Sequence, residues 1–396
     1  MVRTAIGLIT LLCLLVIDRP VDGSTLSRTR TNAAYALAYD LQFEACYEML
    51  ADAVAADRLD PAPQRAIAAV TWIEILFAQG VATFEAFTGE ISKGDVSRPD
   101  TPQALTARFV RAIGEAKALA DQQLAGTDDA DSHYQVGATA ALSALYRATV
   151  EGRTLGAFSE GRRAVNAMER ARARDRGRRE TALVLGMSQY TVSTMSWPVR
   201  TLARLSGLAG DRDAGLALLE EAAAPGAETE TDALLLLMLV DNREGRPADA
   251  MRRLASLQRA HPRNRLLPLN HGAAALAAGQ PLEAEAALSP GIAAQGWDGT
   301  PTVLGEQALW FAHRGAARVR VGRSTDAAVD LQRGLASAPR DWVSGRIHAQ
   351  LGDLALNAGD RSRARREFDM AIEFSRRGGD AAAVSDVKRK VRGLSR

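Results

Sequence analysis

The amino-acid sequence predicts an all-α fold, an αα-superhelix in which helical hairpins stack on one another as a solenoid. Two observations predict it. A pattern of glycine, small residue and large apolar residue recurs five times, at intervals of 35, 34, 43 and 37 residues, and such repeat lengths are typical of helix-pair solenoids. Aromatic residues make up only 5% of the 396 residues and alanine is abundant, a composition that favours closely packed helices over β-sheets.

The repeated pattern predicts three positions in each hairpin. A glycine marks the turn, a small residue follows five positions later, and a large apolar residue follows nine positions later. The last two are four residues apart and therefore share one face of the second helix. The glycines are Gly210, Gly245, Gly279, Gly322 and Gly359, the small residues are Gly215, Ala250, Ala284, Ala327 and Ala364, and the large residues are Leu219, Leu254, Leu288, Leu331 and Phe368. We expect the small residues to let the two helices approach each other.

The last two copies resemble a known family. Leu351, Gly352, Ala364, Phe368 and Ala371, with Gly315, Ala327 and Pro339 one unit earlier, resemble the tetratricopeptide repeat (TPR) pattern, a helix-turn-helix of about 34 residues. The resemblance extends over about 231–377 and is degenerate over 196–229. The tryptophan typical of the first helix is absent. The resemblance implies a TPR-like helical-hairpin solenoid that binds other proteins.

A secretory leader and two helical regions are predicted along the chain. Residues 1–23 combine a basic tip, an apolar run over 4–17 and small residues ahead of Ser24, where we expect cleavage. The alternative is an uncleaved N-terminal anchor. Residues 24–195 are expected to form diverged helical hairpins, and residues 196–396 are expected to form TPR-like repeats with a C-terminal capping helix. The leader indicates an exported protein, periplasmic or secreted.

No motif in the sequence indicates an enzyme. The five histidines include no i, i+4 pair, and the sequence carries no zinc signature, phosphate-binding loop or nucleophile elbow. We therefore expect no catalytic, cofactor-binding or metal-binding residues. Cys46, the one cysteine that remains after removal of the leader, is interpreted as a small buried hydrophobe.

The TPR resemblance also implies a binding groove. In that family the second, fifth, ninth and twelfth positions of each first helix line the concave face. The candidate groove residues for a partner are Leu235, Leu239, Leu266, Leu269, Leu276, Leu309 and Val319, and the remaining positions are Asp232, Asn242, Ala273, Ala312, Ala316, Arg346, Ala349, Asp353 and Leu356. Because twelve of the sixteen are Leu, Ala or Val, we expect a mostly apolar groove that binds another protein or peptide. The alternative is that the first half of the chain or its last helix, residues 380–394, fills the groove.

These observations predict an exported scaffold that binds and positions another protein at the cell envelope. A different function, binding of a small molecule or lipid or even catalysis, would use a polar and aromatic pocket around residues 190–197. Its candidate residues are Tyr190, Ser193 and Trp197, at i, i+3 and i+7, with Tyr134, Gln135 and Tyr146. The competing interpretation places these aromatic side chains in the core.

The charge pattern bears on other partners. The net charge is +2, and residues 388–392 form a basic run near the C-terminus. This run suggests weak contact with an anionic membrane surface. Nucleic acid is not expected as a partner, since no aromatic residues are interleaved with the basic ones.

Overall fold

The computed structural model describes residues 25–81, 100–294 and 302–394, and these residues form helices and no strand. The all-α prediction is confirmed. The predicted leader and its cleavage site ahead of Ser24 lie outside the described residues. The helices of the described ranges are α1 (Thr25–Tyr39), α2 (Phe43–Ala56), α3 (Pro61–Ala78), α4 (Gln103–Gly126), α5 (Ala130–Thr149), α6 (Thr154–Arg174), α7 (Thr181–Ser193), α8 (Trp197–Leu205), α9 (Arg212–Ala222), α10 (Glu230–Arg243), α11 (Pro247–Ala260), α12 (Leu266–Ala277), α13 (Pro281–Ala293), α14 (Glu306–Arg320), α15 (Ser324–Ala336), α16 (Asp341–Asn357), α17 (Arg361–Arg377) and α18 (Ala381–Leu394).

The described residues pack as two units. Unit 1 comprises residues 25–78 and 100–237, and unit 2 comprises residues 79–81, 238–294 and 302–394. In unit 1, α1 packs against α2, α3 against α4, α5 against α6, and α7 against α9. In unit 2, α12 packs against α13, α14 against α15, and α16 against α17, which also contacts α18. Both units are therefore built from antiparallel helical hairpins, and the boundary near residue 195 stays a prediction.

Four connections between helices share one design. Each is three residues long, and its middle residue is a glycine in the left-handed region. These glycines are Gly245, Gly279, Gly322 and Gly359, with φ angles of 71°, 71°, 79° and 80°. Glycine adopts this conformation without the steric penalty that a β-carbon brings, and it is the usual residue just past a helix end. The predicted turn role of these four glycines is confirmed.

Gly210 differs from the other four. The left-handed residue of that connection is Gly207, at φ 83°. Asp211 caps α9, since its carboxylate accepts hydrogen bonds from the backbone N–H groups of Asp213 and Ala214, at 3.1 and 3.0 Å. A β-carbon on Gly210 would collide with the backbone of Ser193. Gly210 therefore lies in the predicted turn but outside the left-handed region, and glycine is needed there for close approach of two backbone segments.

The small and large positions of the pattern are confirmed as core positions. The four alanines and all five large residues have no solvent exposure. In the first helices of three hairpins, a glycine lies directly under the large residue of the second helix. A β-carbon on Gly272 would lie 2.5 Å from Leu288, one on Gly315 would lie 2.7 Å from Leu331, and one on Gly352 would overlap the Phe368 ring. These contacts explain why small residues recur at fixed offsets.

The copy of the pattern over residues 196–229 departs from the other copies for a physical reason. Gly215 of α9 stands where the other copies have alanine, and it faces Gly186 of α7. A β-carbon on Gly215 would lie 2.7 Å from the backbone nitrogen of Tyr190, and one on Gly186 would lie 2.8 Å from the Gly215 carbonyl oxygen. The two helices therefore approach more closely than an alanine would permit.

Unit 1 buries the carboxyl group of Asp232 in α10. Its Oδ1 accepts a hydrogen bond from the Tyr39 hydroxyl at 2.8 Å, while Oδ2 has no hydrogen-bond partner among the described residues. Burial raises the pKa of Asp232 well above its usual value, although the bond from Tyr39 acts in the opposite direction. At a pH between the usual value and this raised pKa, the native state holds the carboxyl in its neutral form.

Asp232→Asn is expected to make unit 1 more stable at pH 8. Above pH 4, the free energy of unfolding of the variant should depend less on pH than that of the wild type. In the wild type the unfolded chain ionises this residue first, so stability is lost as the pH rises toward the raised native pKa. Urea unfolding followed by circular dichroism between about pH 4 and pH 9 measures it. Asp128→Asn is the control, because Arg174 lowers the pKa of that exposed carboxyl and its loss should not raise stability at pH 8. A variant at 232 that keeps the wild-type pH profile would contradict the interpretation.

Candidate functional site

The main candidate site is a cleft of about 380 Å³ in unit 2. Its lining comes from α10, α12, α14, α16 and α18. Eight of the sixteen positions that the TPR resemblance assigns to a concave face line it, namely Asn242, Ala273, Leu276, Leu309, Ala312, Ala316, Arg346 and Ala349. Four of these eight are alanines, whose short side chains leave room for the cleft.

The candidate groove residues are divided between cleft and core. Leu276 and Leu309 line the cleft. Leu239 is 1% exposed, and Leu269 is 5% exposed within a buried cluster that includes Trp310 and Trp342. Leu266 and Val319 are partly buried and pack against that cluster, and Leu235 is partly buried. The role of these seven residues in partner binding stays a prediction. The seven candidates include no alanine, although several alanines line the cleft beside Leu276 and Leu309.

The last helix forms one side of the cleft. Its residues Ala382, Ala383, Asp386, Val387 and Lys390 line the cleft opposite α12 and α14. Val387 is 2% exposed and belongs to a cluster with Ala349 and Phe368. Lys390 Nζ lies 2.7 Å from Asp353 Oδ1. The helix is therefore fixed on α16 and α17, and it borders the cleft without filling it.

Several cations of the cleft are engaged by other groups of unit 2. Arg346 donates to the fully buried Asp380 at 2.8 Å, and its guanidinium lies 5.1 Å from the centre of the Trp342 ring. Arg320 donates to the carbonyl oxygen of Leu276 at 2.6 Å. Lys390 is paired with Asp353. Arg346 and Lys390 are therefore paired with carboxylates, whereas Arg320 is bonded to a neutral carbonyl oxygen.

The region around residues 190–197 is not one continuous helix. α7 ends at Ser193, and α8 begins at Trp197 with Pro198 in its first turn. Proline cannot donate to the helical ladder and is favoured in the first turn of a helix. Trp197 is 77% exposed while Tyr190 is 1% exposed, so the two do not share a face. The assumption of i, i+3 and i+7 spacing on one helix was wrong.

The other aromatic candidates of that region lie in the core of unit 1. Tyr134 and Tyr146 are buried. The Tyr146 ring stacks on Phe109 with centroids 3.7 Å apart, and the Arg178 guanidinium lies 4.4 Å from the centre of the Tyr134 ring. A cavity of about 80 Å³ does lie beside α7, and residues such as Phe158, Val184, Met187, Val192, Met195 and Leu208 line it. Its lining is apolar, in contrast to the polar and aromatic pocket expected there.

Three histidines and Cys46 take part in separate structural contacts. His133 pairs with Asp128 at 2.6 Å, His271 with Glu283 at 3.0 Å and His348 with Glu367 at 2.8 Å. In the described ranges no group of three or more His, Cys, Asp or Glu side chains could hold a metal ion. Cys46 is fully buried, and burial raises the pKa of its thiol to about 12. Its interpretation as a small core residue is confirmed.

Among the helices of residues 25–81, 100–294 and 302–394, none combines the length and the apolar character needed to cross a bilayer.

Comparisons with known proteins give similarity at the level of structure. No protein-family model matches the chain, and no protein of curated function matches its sequence. The chain is similar to the crystal structure of yeast Tom70, with 13% identity over 91% of this chain and 88% of that chain and a TM-score of 0.35. It is also similar to the APC/C hetero-tetramer Cut9–Hcn1, with 11% identity over 92% and 83% of the two chains and a TM-score of 0.33.

Proposed function

We propose that the chain is a TPR-like scaffold that binds another protein through the cleft of unit 2. The observation that carries the proposal is the cleft itself, about 380 Å³ in volume and bordered by eight of the family's concave-face positions, six of which carry alanine or leucine. A short-side-chain surface between helices accepts the apolar face of a helix or an extended apolar segment. Asn242 and Gln350 place carboxamides at the same cleft, where they can bond the backbone of such a segment.

The proposal includes export of the protein to the cell envelope. It is supported by the basic tip and apolar run of residues 1–17 and by the small residues ahead of Ser24. Capture of the tagged chain from the envelope fraction of its native host, with mass spectrometry of its N-terminus, tests this part. A start at Ser24 is expected, and an intact Met1 would support the uncleaved anchor.

Ala277→Glu is expected to abolish partner capture. Ala277 is an exposed residue at the C-terminal end of α12 that lines the cleft, and a carboxylate there would have to lose its water when an apolar segment binds. Ala336→Glu is the matched control, because Ala336 is an exposed alanine at the C-terminal end of α15 and does not line the cleft. Both variants carry the same unfavourable charge near a helix C-terminus. Co-purification with wild type, test and control measures the difference.

Crosslinking makes the test specific to the cleft. A photoreactive amino acid at position 277 should crosslink to the captured protein, and the same group at position 336 should not. Equal capture by both glutamate variants, or crosslinking at 336 alone, would move the binding surface away from the cleft.

A further inference from the structure

Helix α8 in unit 1 presents an unusual amount of apolar surface to solvent. Trp197 is 77% exposed, Leu205 is 80% exposed and Leu202 is 38% exposed. Trp197, Thr201 and Leu205 follow one another at i, i+4 and i+8, so they form one stripe along the helix. Leu202 adjoins Leu205 on the same side of that stripe. Three large apolar side chains are therefore exposed together on a helix of nine residues.

The opposite face of α8 is firmly packed. Val199 and Ala203 are 4% and 0% exposed, and they belong to a cluster that includes Phe158, Val192 and Leu208. Arg200 also donates a hydrogen bond to the carbonyl oxygen of Met195 at 2.8 Å. The helix cannot rotate to bury Trp197 without exposing Val199 and Ala203. The exposed stripe is thus a fixed property of the folded unit.

Positive charge borders the exposed stripe. Arg200 and Arg204 lie at i and i+4, next to the row that contains Trp197. Residues 181–210 contain these two arginines and no aspartate or glutamate. The two acidic residues that follow are engaged at the start of α9, where Asp211 caps the helix and Asp213 pairs with Arg212. The stripe and its border therefore complement an anionic surface.

We propose that α8 docks the protein onto an anionic lipid surface. Tryptophan and leucine favour the boundary between lipid headgroups and acyl chains, and arginines at the edge of an apolar helix face contact lipid phosphates. α8 is about 13 Å long and lies in the plane of the surface. The exposed area of one tryptophan and two leucines is smaller than the roughly 800 Å² per partner of a stable protein interface, so the lipid surface is favoured over a protein.

The basic C-terminal run is a weaker site for the same surface. Lys390 is paired with Asp353, and Arg389 is paired with Asp386. Val387 of that helix is buried, so α18 does not offer the apolar anchors that α8 offers. The lipid contact predicted at residues 388–392 is therefore assigned to α8 instead. This inference is independent of the cleft in unit 2.

Sedimentation of the full chain with lipid vesicles tests the proposal. We expect the wild type to bind vesicles that contain phosphatidylglycerol, at about 0.1 M salt, and not to bind vesicles of phosphatidylcholine alone. Trp197→Ala/Leu205→Ala should reduce the partition coefficient at least about tenfold, since two inserting side chains are lost. Its far-UV circular dichroism should match the wild type, because both side chains lie outside the core.

Two control variants separate α8 from other exposed groups. Leu59→Ala/Leu282→Ala removes two leucines that are 67% and 64% exposed elsewhere, and it should bind as the wild type does. Lys388→Gln/Arg389→Gln should also retain binding. Wild type that fails to bind phosphatidylglycerol vesicles, or an α8 variant that binds as well as wild type, would overturn the proposal. Loss of self-association in the α8 variant without any vesicle binding would assign the stripe to a protein interface instead.

Discussion

Asp330→Ala is expected to lower the free energy of unfolding of unit 2 by about 3–5 kcal/mol. Asp330 is 1% exposed and receives bidentate hydrogen bonds from Arg314, both at 2.8 Å, and a third from Arg318 at 2.9 Å. Removal of the carboxylate would leave the buried Arg314 guanidinium without its counter-charge. Arg318 would keep Glu285, with which it is paired at 2.9 Å. Urea unfolding monitored by circular dichroism measures the change.

An exposed ion pair and a double variant serve as controls. Asp369→Ala breaks a pair with Arg365 whose side chains are 55% and 51% exposed, and it should cost no more than about 1 kcal/mol. Arg314→Met/Asp330→Leu replaces both charges by apolar groups and should be less destabilised than Asp330→Ala alone. If Asp330→Ala proved no more destabilising than Asp369→Ala, water would have to reach Arg314 in the folded protein.

Phe368→Ala is expected to destabilise unit 2 by about 3–5 kcal/mol. The ring is fully buried in a cluster with Ala349, Ala364 and Val387, and it lies over Gly352, which has no side chain to move into the vacated space. The cavity would therefore persist. The loss should also loosen α18, since Lys390 lies over the same ring, 5.8 Å from its centre. Denaturant unfolding gives the free energy, and hydrogen exchange of residues 381–394 reports on α18.

Phe368→Leu is the matched control for this prediction. Leucine stands at the equivalent place of two neighbouring hairpins, as Leu288 and Leu331, over Gly272 and Gly315. We therefore expect the leucine variant to lose much less stability than the alanine variant. Equal losses for the two variants would show that ring-specific contacts, rather than filled volume, stabilise this hairpin.

Periodicity made the core of the hairpins predictable. The small and large positions recur, so each copy supports the others, and all of these residues are buried as expected. The ion pair between Arg314 and Asp330 was not predictable in this way. The residue pairs at the equivalent places are His271 with Ala287 and Leu351 with Glu367, so the pair occurs in one hairpin only and leaves no repeating signal.

The sequence predicted several of the positions that line the cleft, but not the direction in which each leucine side chain points. The concave-face positions that the TPR resemblance implies include Ala312, Ala316 and Leu276, and these three line the cleft. Counting does not tell which leucines point into the cleft and which pack on a neighbouring helix. Leu269 joined the buried cluster around Trp310, since the apolar face of α12 is wider than the concave stripe. The residues that define the cleft volume are instead the alanines.

The break before α8 had a signal in the sequence that spacing alone overlooked. Pro198 disfavours a continuous helix through residues 194–198, and Trp197 lies at the start of a new helix. Two residues at i and i+7 share a face only when both lie in the same helix. The exposed stripe of α8 follows from that break, because residues 197–205 are oriented by Val199 and Ala203 and no longer by Tyr190.

The equal length of the four glycine turns bears on how the chain can change over time. Every one of them has three residues, whereas the interval from one of these glycines to the next is 34, 43 or 37 residues. Variation in length therefore lies outside these turns, in the helices and in the joints from one hairpin to the next. A whole hairpin is the unit that can be gained, lost or extended, and new sequence inserted at a joint leaves the contact between its two helices intact.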